Sequence, residues 1–219
     1  MKVSDIVNKV RLCIDEFAEP TTTTGTNDFA DTSMDAVIKN SIHSALVWAT
    51  RNAPVDLLAF GDSPFVKKLD LAEGGIEGIT TGDAVDCWRI NLPSDFVRLV
   101  RLYRAGWHKA ISTLAEEDSD ESLMQGDAYA YATKDRPVAV LRKTKPMQIV
   151  AYDSAEAPSS DDVDVTYITT PSFSSTDTDV SVSAALEPAL IYYTAYLTLI
   201  AYGDDRAKSM YEAAMTLLK

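Results

Sequence analysis

An α+β fold is predicted: mainly a helical bundle formed by the N- and C-terminal helices, with an inserted antiparallel β-sheet module. Three observations predict it. Leu186 to Leu218 reads as a pair of helices joined at Gly203-Asp204-Asp205. Two amphipathic stretches before Pro54 offer the cover that such a hairpin needs. Between them, short runs of strand type recur from Val85 to Ile168, separated by Pro, Gly or acidic clusters. The expected division is 1–54 for the N-terminal helices, 55–170 for the inserted loop and strand module, and 171–219 for the closing hairpin, all in one composite domain.

Val3, Ile6, Val7, Val10, Ile14 and Phe17 mark one face of a first helix, with Ser4 as its expected N-cap and Pro20 as its end. Thr21 to Asp31 reads as a polar loop. Thr32 begins a second helix, with Asp35 completing a capping-box pattern and Met34, Val37, Ile38, Ile42, Ala45, Leu46 and Ala49 as its apolar positions. Pro54 stops it. Gly61 to Gly82 holds five of the nine glycines and is expected to be loop with little regular structure. Strands are expected at Val85 to Ile90, Val97 to Arg104, Trp107 to Ile111, Val138 to Leu141, Gln148 to Tyr152 and Val163 to Ile168. In the hairpin, Leu186, Leu190, Tyr193, Leu197 and Ile200 form a stripe at helical spacing, and the other faces are hardly more polar. A helix apolar nearly all round wants neighbours on several sides. Pro188 fits a first turn. Ala207, Met210, Tyr211, Ala214, Leu217 and Leu218 repeat the signal in the last helix.

At 219 residues, 46% hydrophobic and 24% charged, the chain can bury a real core. A net charge of −13 argues against general adhesion to a nucleic-acid backbone. Cys13 and Cys87 are expected to be free core residues of a reducing compartment rather than a disulfide framework. The start, Met1-Lys2-Val3-Ser4-Asp5, runs into a helix and predicts no signal peptide, and no run reaches the length of a membrane span. A soluble intracellular product is expected.

Charge is uneven inside the insertion. Phe96 to Ala115 carries Arg98, Arg101, Arg104 and Lys109 without an acid, and Lys134 to Tyr152 adds Lys134, Arg136, Arg142, Lys143 and Lys145 against Asp135. The flanking stretches Glu116 to Glu121 and Asp153 to Asp164 are acidic. Either the strands simply carry solvated, edge-protecting charges, or a basic surface meets an acidic one on a neighbouring copy, a head-to-tail contact able to close a ring. On the second reading, Arg98, Arg101, Arg104, Lys109, Arg136, Arg142, Lys143 and Lys145 are the candidate subunit-interface residues.

Catalytic chemistry finds little footing. His43 and His108 have no ligand partners at metal spacing, and no serine stands in a nucleophile elbow. The run Glu73-Gly74-Gly75-Ile76-Glu77-Gly78 lacks a Gly-Lys-Ser/Thr ending and carries acids that repel phosphate. The acid pairs Asp118/Asp120, Asp161/Asp162 and Asp204/Asp205 sit in turn contexts where solvation is the default. No enzyme activity, metal or cofactor is expected. Trp48, Trp88, Trp107 and most tyrosines fit a core, whereas Tyr129 and Tyr131, beside Gly126-Asp127, are the candidates for an exposed contact.

Leu92-Pro93-Ser94-Asp95-Phe96-Val97-Arg98-Leu99 resembles the Leu-Pro-x-Asp-Phe-x-Arg-Leu turn-into-strand of head-to-tail adaptor proteins of tailed bacteriophages. Tyr103 and Trp107 follow it as that pattern requires. Val165-Thr166-Tyr167-Ile168-Thr169-Thr170-Pro171 is similar to the strand before their C-terminal helices, and the hairpin from Tyr193 to Leu218 resembles their closing one. The resemblance implies a virion structural protein assembled in the host cytoplasm. Such a protein forms a homo-oligomeric ring, commonly a dodecamer, at the neck between portal and tail, and binds the portal protein and tail or further neck proteins. DNA would pass through without sequence-specific binding, and no membrane is involved. The alternative is a monomeric protein- or ligand-binding module with no phage role, which predicts a concave apolar pocket. A hydrolase using a loop acid pair is the third reading, and it predicts a pKa-shifted carboxylate in a cleft.

Overall fold

A computed structural model describes residues 1–16, 32–59, 63–71, 76–80, 86–127, 129–154, 157–174 and 176–218. Phe17, Pro20, the loop at 21–31, Glu73 to Gly75, Val85 and Lys219 lie outside the described residues. The chain divides into two compact units, Met1–Phe65 with Thr170–Lys219, and Val66–Thr169.

The first unit is helical: α1 (Val3–Glu16), α2 (Thr32–Asn52), the single turn α3 (Val55–Leu58), α5 (Glu187–Tyr202) and α6 (Ala207–Leu217). α5 packs against α1, α2 and α6, which is the environment its apolar circumference requires. α1 contributes Val3, Ile6, Val7, Val10 and Ile14, and α2 contributes Met34, Ile38, Ile42, Ala45, Leu46 and Ala49, all buried. The buried face of α5 differs from the expected stripe. Ile200 is exposed, whereas Ala189, Leu190, Ile191, Thr194, Ala195, Thr198 and Leu199 are buried. Two threonines enter the core because each hydroxyl finds a partner on its own helix: Thr194 Oγ1 donates to Leu190 O at 2.7 Å, and Thr198 Oγ1 to Thr194 O at 2.9 Å.

The ends of these helices follow local chemistry. Ser4 is not the N-cap of α1, which begins one residue earlier. The Val3 N–H donates to Thr178 O, and Met1 and Val180 exchange hydrogen bonds, so chain start and C-terminal segment knit together. Ser183 serves the start of α5, accepting from the Leu186 N–H and donating to Leu57 O. Gly203 closes α5 in the left-handed region at φ 70°, its N–H on Ile200 O, while the Asp204 N–H reaches Leu199 O. Glycine tolerates that φ at no steric cost. The Asp204 carboxylate then accepts from the Arg206 backbone and guanidinium, and Arg206 Nη1 donates to Ile14 O at 3.1 Å, tying the hairpin turn to the end of α1.

The second unit holds two sheets. β1 (Val66–Lys68), β8 (Val163–Thr169) and β4 (Phe96–Arg104) form an antiparallel sheet in the order β1-β8-β4. β2 (Ile76–Thr80), β3 (Asp86–Asn91), β7 (Gln148–Tyr152), β6 (Val138–Arg142) and β5 (Ala115–Glu116) form the other, antiparallel except for the parallel pair β5–β6. Trp88, Ile90, Leu99, Leu102, Trp107, Ile149, Ala151, Val165 and Tyr167 belong to one shared core. α4 (Asp120–Leu123) follows β5, with Ser119 as its N-cap.

Two strand expectations are corrected. The stretch 61–82 contains β1 and β2 despite its glycines; Gly78 sits in strand register opposite Trp88. Trp107 to Ile111 is not a strand. Gly106, at φ 91°, turns the chain, and Ile111 alone bridges back to Leu102 of β4. The two cysteines form no disulfide with each other; Cys87 is buried as expected, whereas Cys13 is only half-buried.

Candidate interaction surfaces

The eight candidate cations do not form one surface. β4 decides where the first three go. Its register against β8 shifts between Phe96 and Arg98 and again between Leu99 and Arg101. Each bulge inserts a residue and re-aims the side chains after it. Phe96, Leu99, Leu102 and Arg104 therefore share the face of Thr169, Tyr167, Val165 and Val163, which is the core face. Arg98, Arg101 and Tyr103 share the face of Ile168, Thr166 and Asp164. Lys68 joins them through its pairing with Thr166.

That face is outer towards Arg101 and Lys68, while Ile168 opposite Arg98 is fully buried. On it Arg101 lies 4.0 Å from Asp164 and over the ring of Tyr103, and Lys68 reaches Asp164 at 2.9 Å. Arg98 is half-buried, and burial pulls its pKa below the usual guanidinium value. Arg104 points the other way. Its Nη1 donates to Asp153 Oδ2 at 2.6 Å, and the Trp107 indole donates to the same oxygen at 2.8 Å. Asp153 is fully buried, so this is an internal ion pair, closed against Trp107 and not offered to a neighbour.

The remaining five lie elsewhere. Lys109 and Arg136 line a groove of about 690 Å³. Arg142 ends β6 at 3.7 Å from Glu117. Lys143 and Lys145 are exposed on the turn into β7. The two tyrosines are exposed, Tyr129 99% and Tyr131 40%, and both line that groove. Sequence reasoning missed the aromatic group on the helical unit. Trp48 stacks on Tyr193 at 3.9 Å between centroids, and Tyr196 and Tyr211 complete the cluster. The recurrence of tyrosine at 193 and 196 beside a helix-facing Trp is the signal that could have found it.

The quoted Leu-Pro-x-Asp-Phe run has a structural basis. Asp95, in the turn into β4, accepts from Lys67 Nζ at 2.8 Å, Thr169 Oγ1 at 2.7 Å and Tyr167 OH at 3.3 Å. The Lys67 bond first, then that of Thr169, hold its carboxyl below the usual carboxylate range. One side chain thus joins all three strands of the smaller sheet.

The residues considered for chemistry stay apart. His43 is exposed on α2, and His108 is exposed at 3.3 Å from Asp135. Asp118 and Asp120 are exposed, as are Asp161 and Asp162. Asp204 is engaged by Arg206, and Glu77 of the glycine run pairs with Arg89. Among the described residues, no group of three or more His, Cys, Asp or Glu could hold a metal ion, and no helix is long and apolar enough to cross a membrane.

Compared with known families, residues 1–219 match the model of the SU10 adaptor protein. No curated protein matches the chain.

Proposed function

The chain belongs to the SU10 adaptor protein family, and from that premise we propose that it is a virion structural protein forming a ring between portal and tail. The single observation that carries this reading is the family match over the whole chain. As a bacteriophage adaptor it works through contacts with other phage structural proteins. The finer reading is a homo-oligomer, a dodecamer in the reading that the resemblance supplies, placed at the neck with portal on one side and tail or further neck proteins on the other. Assembly would take place in the host cytoplasm. Its mechanism is shape and contact, not catalysis.

The charge distribution supports that reading. A net charge of −13 weakens adhesion to a passing duplex, which suits a conduit. Within each subunit, Arg98 and Arg101 on the outer face of β4, Lys109 and Arg136 at the groove, and Arg142, Lys143 and Lys145 beyond β6 are proposed to meet neighbouring chains. Arg104 would act on such a contact only by holding the sheet together. The acidic stretches 116–121 and 157–164 are the complementary surface.

The test is the particle mass and shape of the purified protein, alone and mixed with portal protein, by light scattering and electron imaging. Rings, alone or seated on portal, are the expected result. A strict monomer that ignores portal would return the protein to the reading of a monomeric binding module.

A further inference from the structure

α5 meets α1, α2 and α6 and so is covered on three sides. Its fourth side is the row Tyr193, Tyr196, Leu197 and Ile200, set at helical spacing. Trp48 of α2 meets Tyr193 from one flank and Tyr211 of α6 from the other, with ring centroids 3.9 and 6.2 Å away. Tyr211 is 38% and Ile200 52% exposed, and the other rings are half-buried. From Pro188 to Gly203 the chain carries no charge. Clustered aromatic and aliphatic side chains left open in this way mark a contact site.

The border of this face is basic on the α2 side. Arg51, one turn past Trp48, is exposed and has no ion-pair partner among the described residues. From Ala36 to Val55 the chain has no acid. On α6, Lys208 stands one turn before Tyr211, at 3.9 Å from Glu212.

A stretch of the opposite character lies in the second unit. Between Ala110 and Thr133 stand six acids and no base. Within it, α4 and the 3-10 turn Met124–Gly126 display Leu123 and Met124, 68% and 50% exposed, and Tyr129 follows with its side chain fully open. The Tyr129 N–H donates to Asp127 Oδ1 at 2.8 Å, which fixes the backbone beneath that ring.

We infer that the tip at 120–131 of one copy seats on the α2–α5–α6 face of the next copy. Leu123, Met124 and Tyr129 pack on the tyrosines and Ile200 of that face, and the acids of the tip turn towards Arg51. A second copy is the occupant because this chain carries both halves, one apolar with acids around it and one aromatic with a free cation at its border. Unlike halves on one molecule make the head-to-tail contact that a ring needs, whereas two α5 faces set together would give a closed pair. The inference rests on the ring reading and names a contact for it. The tip continues the stretch 116–121, which faces neighbours in that reading.

The test uses the full chain carrying Cys13→Ser, alone and mixed with portal protein, with a short thiol crosslinker; Cys87 is buried. Ser44→Cys, exposed one turn before Trp48, marks the face, and Ala130→Cys, also exposed, marks the tip. Crosslinked pairs are expected when the two variants are mixed and not from either alone. Arg51→Glu is expected to cut the yield of pairs about threefold. Tyr129→Ala, at a side chain too exposed to matter for folding, is expected to cut it about tenfold, as removal of an anchor does. Rings without mixed pairs would overturn the inference and leave the ring reading standing, and mixed pairs without rings would do the reverse. Absence of both removes both. Pairs formed by Ser44→Cys or Ala130→Cys alone, or a full yield in both Arg51→Glu and Tyr129→Ala, also overturn the inference.

Discussion

Asp95, in the turn into β4, and Asp153, just past the end of β7, show how differently two carboxylates behave. Asp95 is a half-buried joint for β1, β4 and β8. Its folded-state pKa is depressed, so its contribution is present above the unfolded carboxylate value of about 4 and is lost as pH falls through the lower folded one. Asp95→Asn is therefore expected to flatten the acid limb of a pH–stability curve. Asp95→Ala is expected to cost about 1–2 kcal/mol by urea titration, because the Lys67 contact is partly solvated. Asp153 has no exposure and holds both Arg104 and Trp107. Asp153→Ala removes the buried carboxylate that Arg104 and Trp107 share, with an expected cost of about 3–5 kcal/mol in the same titration. The motif around Asp95 is visible in the sequence as a pattern, but its cause is not. Lys67, Tyr167 and Thr169 come from strands distant along the chain, and nothing local names them as partners. Asp153 reads as one more acid of a solvated loop until its fold encloses it.

At the scale of elements, α5 and β4 divide what periodicity can and cannot say. α5 is recognisable because almost every face is apolar, and the structure answers with helices on three sides. The same property hides which residues lie deepest, since a stripe cannot be chosen when all faces qualify. Thr194 and Thr198 go inside only because each finds a carbonyl one turn back. Ala195→Leu is expected to overfill the contact and cost about 1–3 kcal/mol, whereas Ala201→Leu on the exposed side is expected to change the melting midpoint little. Gly203→Ala forces a side chain into the left-handed region and is expected to cost about 1–2 kcal/mol. In β4, arginines at spacings of three look like one basic stripe or an alternation, depending on the period assumed. Two bulges replace both patterns, sending Arg98 and Arg101 outward and Arg104 inward. A bulge is a tertiary decision made against β8, so the residues of β4 alone do not announce it. The short β5 and the turn at Gly106 escape for the same reason: each is defined by what it pairs with.

For the whole molecule, the expected behaviour follows from a chain that is acidic in total and basic in patches. If the outward cations meet acidic stretches of neighbours, assembly weakens as salt rises, because exposed charges are screened beyond about 10 Å at 0.1 M. Arg101→Glu combined with Lys143→Glu is expected to reduce ring yield in particle images while leaving the circular dichroism spectrum unchanged; unaltered assembly would remove these residues from the interface. The order of the helices along the chain has a different bearing, on synthesis. α1 and α2 leave the ribosome with one apolar face each, yet α5, the helix that covers them, is translated only after the entire sheet unit. At about 5–20 residues per second, that interval is on the order of ten seconds. A nascent chain halted before Glu187 would hold a completed sheet unit and two unshielded helices, so truncation late in translation, not early, would yield the species most prone to stick to its neighbours and most in need of a chaperone.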